Sequence, residues 1–413
     1  AICIYCKTVI VCYTSSQKGN PLFKRNSKTG GAAMIPKTQK LILIILVTII
    51  LAAGIAAAGL FFFSRRSGEA GKTEVQTSTE INPETDTAAQ TAAVQTAQLP
   101  QTPEYDPLSL HGRLHVSGGK LVDKDNNLVQ LRGVSSHHLT LYPEFFNAES
   151  LKYIRDEWGV NVIRLANYTE FFGDGYCDGG DSGAIDQMIQ NTVQIADELG
   201  MYVILDWHTL TDNNPMLHSA QAIRFFSRYA SLYKDHDNIL YEICNEPSGD
   251  TTWNDIRRYA DLIIPLIRKQ DPDSVILVAP AQYTTDYASV IERPLSYRNI
   301  MYTLHFYAGT HKEELRSVLQ DALTQQLPVF ISECNITDTD WSGGKADPEQ
   351  GKLWFDLVDT NMLSYTVWSF TDKDEVFSFF RPDTGKMSGF DENDLTEVGL
   401  WHADHFLKLK SPR

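Results

Sequence analysis

Positive charge is scarce in this chain. Its 36 Lys and Arg stand against 52 Asp and Glu, a formal net charge of −16. That balance excludes nucleic acid as an expected partner, because phosphate binding needs clustered basic side chains. It excludes nothing about a neutral polymer such as a polysaccharide. Cysteine is also scarce, with six in 413 residues. Cys3, Cys6 and Cys12 fall near the start, and Cys177, Cys244 and Cys334 lie far downstream. Neither group has the spacing of a zinc site or of a disulfide framework, and the Cys3-x-x-Cys6 pair has no second pair or nearby His. No G-x-G-x-x-G follows the first strand-like run, which removes the usual dinucleotide fingerprint. Neither a metal nor a cofactor is expected.

Charge of either sign is missing from Leu41 to Phe63, a run of 23 residues. At about 1.5 Å per residue, such a helix spans the roughly 30 Å hydrocarbon core of a bilayer. Its length favours a transmembrane anchor over a cleaved signal segment, although the small residues Ala52–Ala58 suit cleavage. Residues 1–40 hold seven Lys and Arg and no acid, so this tail is expected on the cytoplasmic side. The bulk of the chain is then extracellular, membrane-anchored through the apolar segment or secreted if that segment is cut. Residues 64–106 are rich in Thr, Ala, Gln, Glu and Pro without hydrophobic period, as in a flexible linker. Residues 107–413 are expected to form one catalytic domain, a monomer.

From Pro107 onward, apolar β-branched runs alternate with helical stretches. The strand-like runs are Leu131–Ser135, Asn161–Ala166, Tyr202–Trp207, Asn238–Cys244, Ser274–Ala279, Asn299–His305, Val329–Glu333 and Ser364–Ser369. Near-continuous apolar runs are what buried parallel strands look like. Between them, Ser182–Gly200 and Asp255–Lys269 place apolar residues at helical period. Eight such units in about 300 residues predict an α/β fold, the (β/α)8 TIM barrel.

In that fold the active site lies at the C-terminal ends of the strands. Polar and aromatic residues gather there: Ser135-Ser136-His137-His138, Arg164 with Asn167 and Tyr168, Asp206-Trp207-His208, Asn245-Glu246-Pro247, His305-Phe306-Tyr307, Glu333 and Trp368. Two strands deliver a glutamate, Glu246 and Glu333, 87 residues apart. A pair of carboxylates facing one cleft is the arrangement that cleaves glycosidic bonds, one as acid and one as base or nucleophile. Glu242 shares strand and face with Glu246 and is expected deeper in the barrel. His138 is expected as a solvated loop residue, and Trp207 and Asp206 as structural ones.

These motifs resemble glycoside hydrolase family 5, most closely its bacterial endoglucanase (cellulase) branch. The resemblance is carried by Arg132-Gly-Val-Ser-Ser-His137, Val203-Ile-Leu-Asp-Trp-His208, Tyr241-Glu-Ile-Cys-Asn-Glu-Pro247 and Leu304-His-Phe-Tyr-Ala-Gly-Thr-His311, within residues 110–380. It implies a retaining endo-β-1,4-glucanase whose partner is a β-glucan polysaccharide. It implies Glu246 as acid/base and Glu333 as nucleophile. Asn245 would bond the sugar 2-hydroxyl, and Arg164 and Tyr307 would orient an ionised Glu333. His137, His208 and His305 would bond sugar hydroxyls or the catalytic acids, with Tyr168 beside them. Trp368 would stack under the sugar next to the cut. Mannan, xyloglucan or mixed-linkage glucan as substrate, and a catalytically weak carbohydrate-binding protein, remain open alternatives.

The chain departs from the family pattern in places. Cys334-Asn335 stands where Trp-Gly usually follows the nucleophile, and Leu141 stands at the place of a Trp on the glycone side. Tyr283 stands at a Trp position on the aglycone side, and Lys373 and Glu375 match a segment that binds the glycone side. The loop Phe377–Thr396 adds Phe379, Phe380, Arg381 and Phe390, either as a cover over the glycone side or as a disordered excursion.

Overall fold

A computed structural model describes residues 105–410, Trp341 excepted. The expectations for residues 1–40, 41–63 and 64–104 lie outside the described residues. Among the described residues no helix is long and apolar enough to cross a membrane.

A short hairpin, β1 (His115–Ser117) and β2 (Lys120–Val122), precedes the main body. Eight parallel strands follow and close on themselves. They are β3 (Arg132–Ser135), β4 (Val162–Tyr168), β5 (Tyr202–His208), β6 (Ile239–Glu242), β7 (Ile276–Val278), β8 (Ile300–Tyr307), β9 (Val329–Asn335) and β10 (Tyr365–Val367). Each pairs with the next, and β10 pairs with β3 to complete a (β/α)8 barrel. Every strand-like run in the sequence corresponds to one of these eight, with ends shifted by a few residues.

The local signals are the ordinary ones. Helix Ser182–Leu199 starts at Asp181, whose carboxylate accepts from the Gly183 and Ala184 amides, and stops at left-handed Gly200. Helix Trp253–Gln270 starts with a capping box between Thr252 and Asp255. Gly133 is required where it stands: a Cβ there would lie 1.8 Å from the carbonyl oxygen of Val162 on β4.

The apolar core has layers. Leu131, Val162, Tyr202, Ile204, Leu240, Leu277, Met301 and Phe330 form one buried cluster drawn from the barrel strands. A larger one packs strands against helices, including Trp207, Phe225, Ile263, Phe306 and Trp354. A small third cluster holds Ala166, Tyr168, Tyr307, Trp368 and Phe377, residues at or just beyond the strand C-termini. Its aromatic rings flank the polar site, with the Tyr307 hydroxyl on Glu333 and the Tyr168 and Trp368 rings on His208.

The loop Phe377–Thr396 corrects both readings of it. It is ordered, and Phe379, Phe380 and Phe390 are buried rather than spread over the cleft. Phe380 stacks on Phe145 at 4.1 Å, and Phe390 packs edge-on against Tyr153 at 5.1 Å. Three large apolar rings gain more from burial than from solvent, about 1.5–3 kcal/mol each, which folds the loop back onto the barrel wall.

Candidate active site

Arg164 on β4 is the hub. Its guanidinium is fully buried and donates from Nε to Glu242 at 2.7 Å, from Nη2 to the Asn245 side-chain oxygen at 2.7 Å, and from Nη1 to Glu333 at 3.2 Å. Asp206 lies 3.0 Å away. One cation therefore faces three carboxylates: Asp206 and Glu242, which are fully buried, and Glu333, which keeps a small exposed edge. A planar fork of donors suits this better than a point charge. Burial alone would lower the Arg164 pKa, but the three acids outweigh it and push it up.

Two proton-bearing chains extend from this hub. In the first, Asp206 sits 2.7 Å from His208 Nδ1, and the Asn245 side-chain amide lies 3.3 Å from His208 Nε2. Burial, followed by the Arg164 charge, holds His208 well below the usual histidine range, so it is neutral. A neutral ring accepting from Asn245 at Nε2 must donate from Nδ1 to Asp206. Asn245 is thereby fixed: its oxygen takes Arg164 and its amide faces His208 and the Thr209 carbonyl.

The second chain runs through His305. Its Nδ1 lies 2.8 Å from Glu246 and its Nε2 2.9 Å from the Ser332 hydroxyl, which donates to Glu242 at 2.8 Å. Burial opposes charge on His305, but Glu242 and Glu246 raise its pKa to about 9. The ring is therefore a cation near neutral pH. The β8–β9 pairing shifts register between Thr303 and His305: two steps along β8 are matched by three along β9, from Phe330 to Glu333, so His305 comes to lie directly opposite Glu333. Bulges next to sites re-aim side chains in this way.

Glu333 itself accepts from the Tyr307 hydroxyl at 2.7 Å. Burial, with the Glu246 charge adding to it, pushes the Glu333 carboxyl above its ordinary range, while His305, Arg164 and Tyr307 pull it back. One carboxylate oxygen of Glu246, one of Glu333 and a ring nitrogen of His305 all lie within 4.8 Å of one another. Such a trio has the spacing of a metal site. Its histidine has both nitrogens engaged and carries a proton near pH 7, so a cation there must first displace that proton. The geometry serves proton transfer and nucleophilic attack.

The remaining predicted residues surround this centre. Trp368 stacks on His208 with ring centroids 5.4 Å apart, and Tyr168 stacks on His137 at 5.6 Å. Lys373 Nζ lies 3.0 Å from His137 Nε2 and pairs with the buried Glu375. Burial holds His137 down to about 2, so it stays neutral beside that lysine. Tyr283 stands apart at the rim, 56% exposed, in the middle of three left-handed residues, Gln282 to Thr284. Its amide donates to the carbonyl of Pro247, next to Glu246. Every residue expected at the site is at the C-terminal face or directly beneath it.

Several expectations change. His138 is buried, not solvated, because the loop after β4 covers it and the Asp174 carbonyl lies 3.1 Å from its Nε2. Cys334 and Asn335 are packing residues. The Cys334 thiol is buried against the Thr366 carbonyl, and the Asn335 amide ties the end of β9 to the Trp368 and Phe377 carbonyls. Glu242 is deeper, as expected, and Asp206 and Trp207 are buried as expected.

Other contributors went unread in the sequence. Ser332 completes the His305–Glu242 link, and the Ser135 hydroxyl, placed at this face from the sequence but without a partner, takes a donor from Arg164 at 3.3 Å. Tyr142 sets its ring edge-on to His137 at 4.9 Å, with Lys373 over its face at 5.7 Å. It lies one residue past Leu141, where a shifted aromatic was the available signal.

The sequence model of one family, described as cellulase (glycosyl hydrolase family 5), matches residues 122–374. Endoglucanase A of Butyrivibrio fibrisolvens is 45% identical over 306 residues, covering 73% of this chain and 70% of that protein. An endoglucanase of Clostridium saccharobutylicum is 42% identical over 294 residues, covering 71% of this chain and 64% of that protein. Among solved structures, the catalytic domain of a Thermobifida fusca endoglucanase in complex with cellotetraose is 30% identical. It superposes with a TM-score of 0.69 over 73% of this chain and 99% of that one.

Proposed function

The chain belongs to glycoside hydrolase family 5, the cellulases, and on that premise we propose that it is a retaining endo-β-1,4-glucanase acting on cellulose or a related β-glucan. The observation that carries this reading is the separation of Glu246 and Glu333, whose nearest oxygens lie within 4.8 Å. Retaining enzymes hold their carboxyl groups about 5–5.5 Å apart, while inverting ones leave about 6.5–9.5 Å for a water.

In this reading Glu333 attacks the anomeric carbon as Glu246 gives its proton to the departing oxygen. A glycosyl ester on Glu333 results. Glu246, now a carboxylate, takes a proton from water, and that water displaces Glu333. His305 contacts Glu246 throughout and stabilises its carboxylate between the two steps. Tyr307 and Arg164 hold the attacking oxygens of Glu333 in place. Asn245, fixed by Arg164 and His208, meets the 2-hydroxyl, where a hydrogen bond strengthens in the transition state. Trp368 stacks under the sugar before the cut, Lys373 and Glu375 hold the glycone side, and Tyr283 supplies a face on the aglycone side.

Reducing-sugar release from carboxymethylcellulose, mixed-linkage glucan, xyloglucan and mannan tests the substrate. The expected order puts the β-1,4-glucans first. A strong preference for mannan would overturn the cellulase assignment, and binding without any release would support a carbohydrate-binding protein instead.

The Glu333 environment makes a pH prediction. Attack needs the carboxylate, so kcat/KM rises with pH through the Glu333 pKa, which burial places above the ordinary range. The acid limb should therefore lie above about pH 4.3, the free glutamate value. Tyr307→Phe removes a donor that pulls this pKa down, so its acid limb should move further up. A limb that stays put or moves down would contradict the assignment.

A further inference from the structure

The loop after β4 carries an aromatic side chain that the reaction above does not use. Phe172 is 88% exposed, the most exposed large apolar side chain among the described residues. Its backbone is left-handed, with φ +52°. Such a conformation is strained for a residue with a side chain.

The loop is nonetheless held firmly. The Asp178 carboxylate accepts three backbone amides: Phe171 at 3.0 Å, Gly173 at 2.8 Å and Gly175 at 2.6 Å. The Asp174 amide donates to the Phe171 carbonyl at 2.9 Å, and the Asp174 carbonyl meets His138 at the end of β3. Five contacts thus fix a strained backbone so that one ring faces solvent. A single exposed phenylalanine is unremarkable on a surface. One held rigid, at a cost, on the face that bears the active site is different.

A path of rings leads to it. Trp368 lies 5.2 Å from His137, His137 lies 6.1 Å from Phe171, and Phe171 lies 5.4 Å from Phe172. The path runs along the β3 and β4 side of the barrel mouth, past the glycone-side pair Lys373 and Glu375. It runs away from Tyr283, on the far side after β7. Leu141, 42% exposed on the same side, offers no ring.

We propose that Phe172 is the platform of a further sugar subsite, which stacks on a pyranose face of a neutral β-glucan chain on the glycone side, beyond Trp368. Aromatic faces suit the apolar C–H faces of such rings, and no charge is needed. The proposal rests on the endoglucanase reading and deepens it: the enzyme would favour long chains over short ones.

The test compares Phe172→Ala and Phe172→Trp with the unaltered protein on cellohexaose and on an aryl cellobioside, which is too short to reach the loop. One stacked ring is worth about 0.5–1.5 kcal/mol, so Phe172→Ala should lower kcat/KM on cellohexaose by roughly 2- to 12-fold. The aryl cellobioside rate should stay unchanged, and Phe172→Trp should keep or increase the preference for length. An unchanged cellohexaose rate overturns the subsite and leaves the enzyme assignment standing. So does an equal loss on both substrates, which marks a structural role. If the unaltered protein cleaves neither substrate, the endoglucanase reading falls and takes the subsite with it.

Discussion

Glu333→Ala is expected to reduce turnover of cellulosic substrates by roughly 10⁴-fold or more, since removing a nucleophile costs on that order in enzymes whose groups act as a unit. The fold should survive. Glu333 contributes one of three acids around Arg164, and Asp206 and Glu242 remain to balance that charge. The cavity left is small and polar, beside the Tyr307 hydroxyl and His305. Azide fits such a space as an external nucleophile. With an aryl cellobioside, it should restore measurable turnover and give a glycosyl azide of α configuration. Residual activity within tenfold of the unaltered protein would remove Glu333 from the role assigned to it.

Arg164→Met should have the largest effect on stability. It leaves Asp206, Glu242 and Glu333 together in a buried site without their shared cation. Breaking a buried ion pair by removing one partner costs about 3–5 kcal/mol, because the other charge stays desolvated. Arg164→Lys should recover little, since a single ammonium cannot serve Glu242, Asn245 and Glu333 at once. The sign of the pH dependence follows from the same contacts. Arg164 lowers the pKa of each of the three acids, so without it all three bind protons more readily in the folded state. The loss in unfolding free energy should therefore be greater at pH 8 than at pH 5. Urea denaturation at both values measures this. A loss below about 1 kcal/mol at pH 8 would contradict the view that these charges depend on one another.

How much of this was legible in the sequence depends on the distance over which each signal acts. The barrel was legible because eight apolar runs and their intervening helices are local patterns, and each becomes a strand. Glu246 and Glu333 were legible because a carboxylate at the end of such a run has one face to point to. The partners that set their charge were only partly so. Arg164 could be placed, but its sharing among Asp206, Glu242 and Glu333 depends on inward-facing positions of four different strands. Ser332 reads as an ordinary strand residue until β8 and β9 lie side by side. His138 reads as a loop residue because the loop that buries it begins some thirty residues later. The aromatic loop after β10 failed for a related reason. Its rings have partners at Phe145 and Tyr153, more than two hundred residues away, and composition alone cannot choose between those partners and a sugar.

The Cys334-Asn335 departure had the same origin. A change next to the nucleophile looks chemical in one dimension. In the barrel, the side chain after Glu333 points to the opposite face of β9, into the strand–helix core, where a thiol packs without consequence for the cleft.

Proton NMR of the unaltered protein's first hydrolysis products from cellopentaose distinguishes double displacement from direct attack by water. The spacing of Glu246 and Glu333 predicts that the β-anomer of the new reducing end accumulates first and then equilibrates to the mixture. An α-anomer formed first would mean direct attack by water, and would contradict the double displacement built on Glu333.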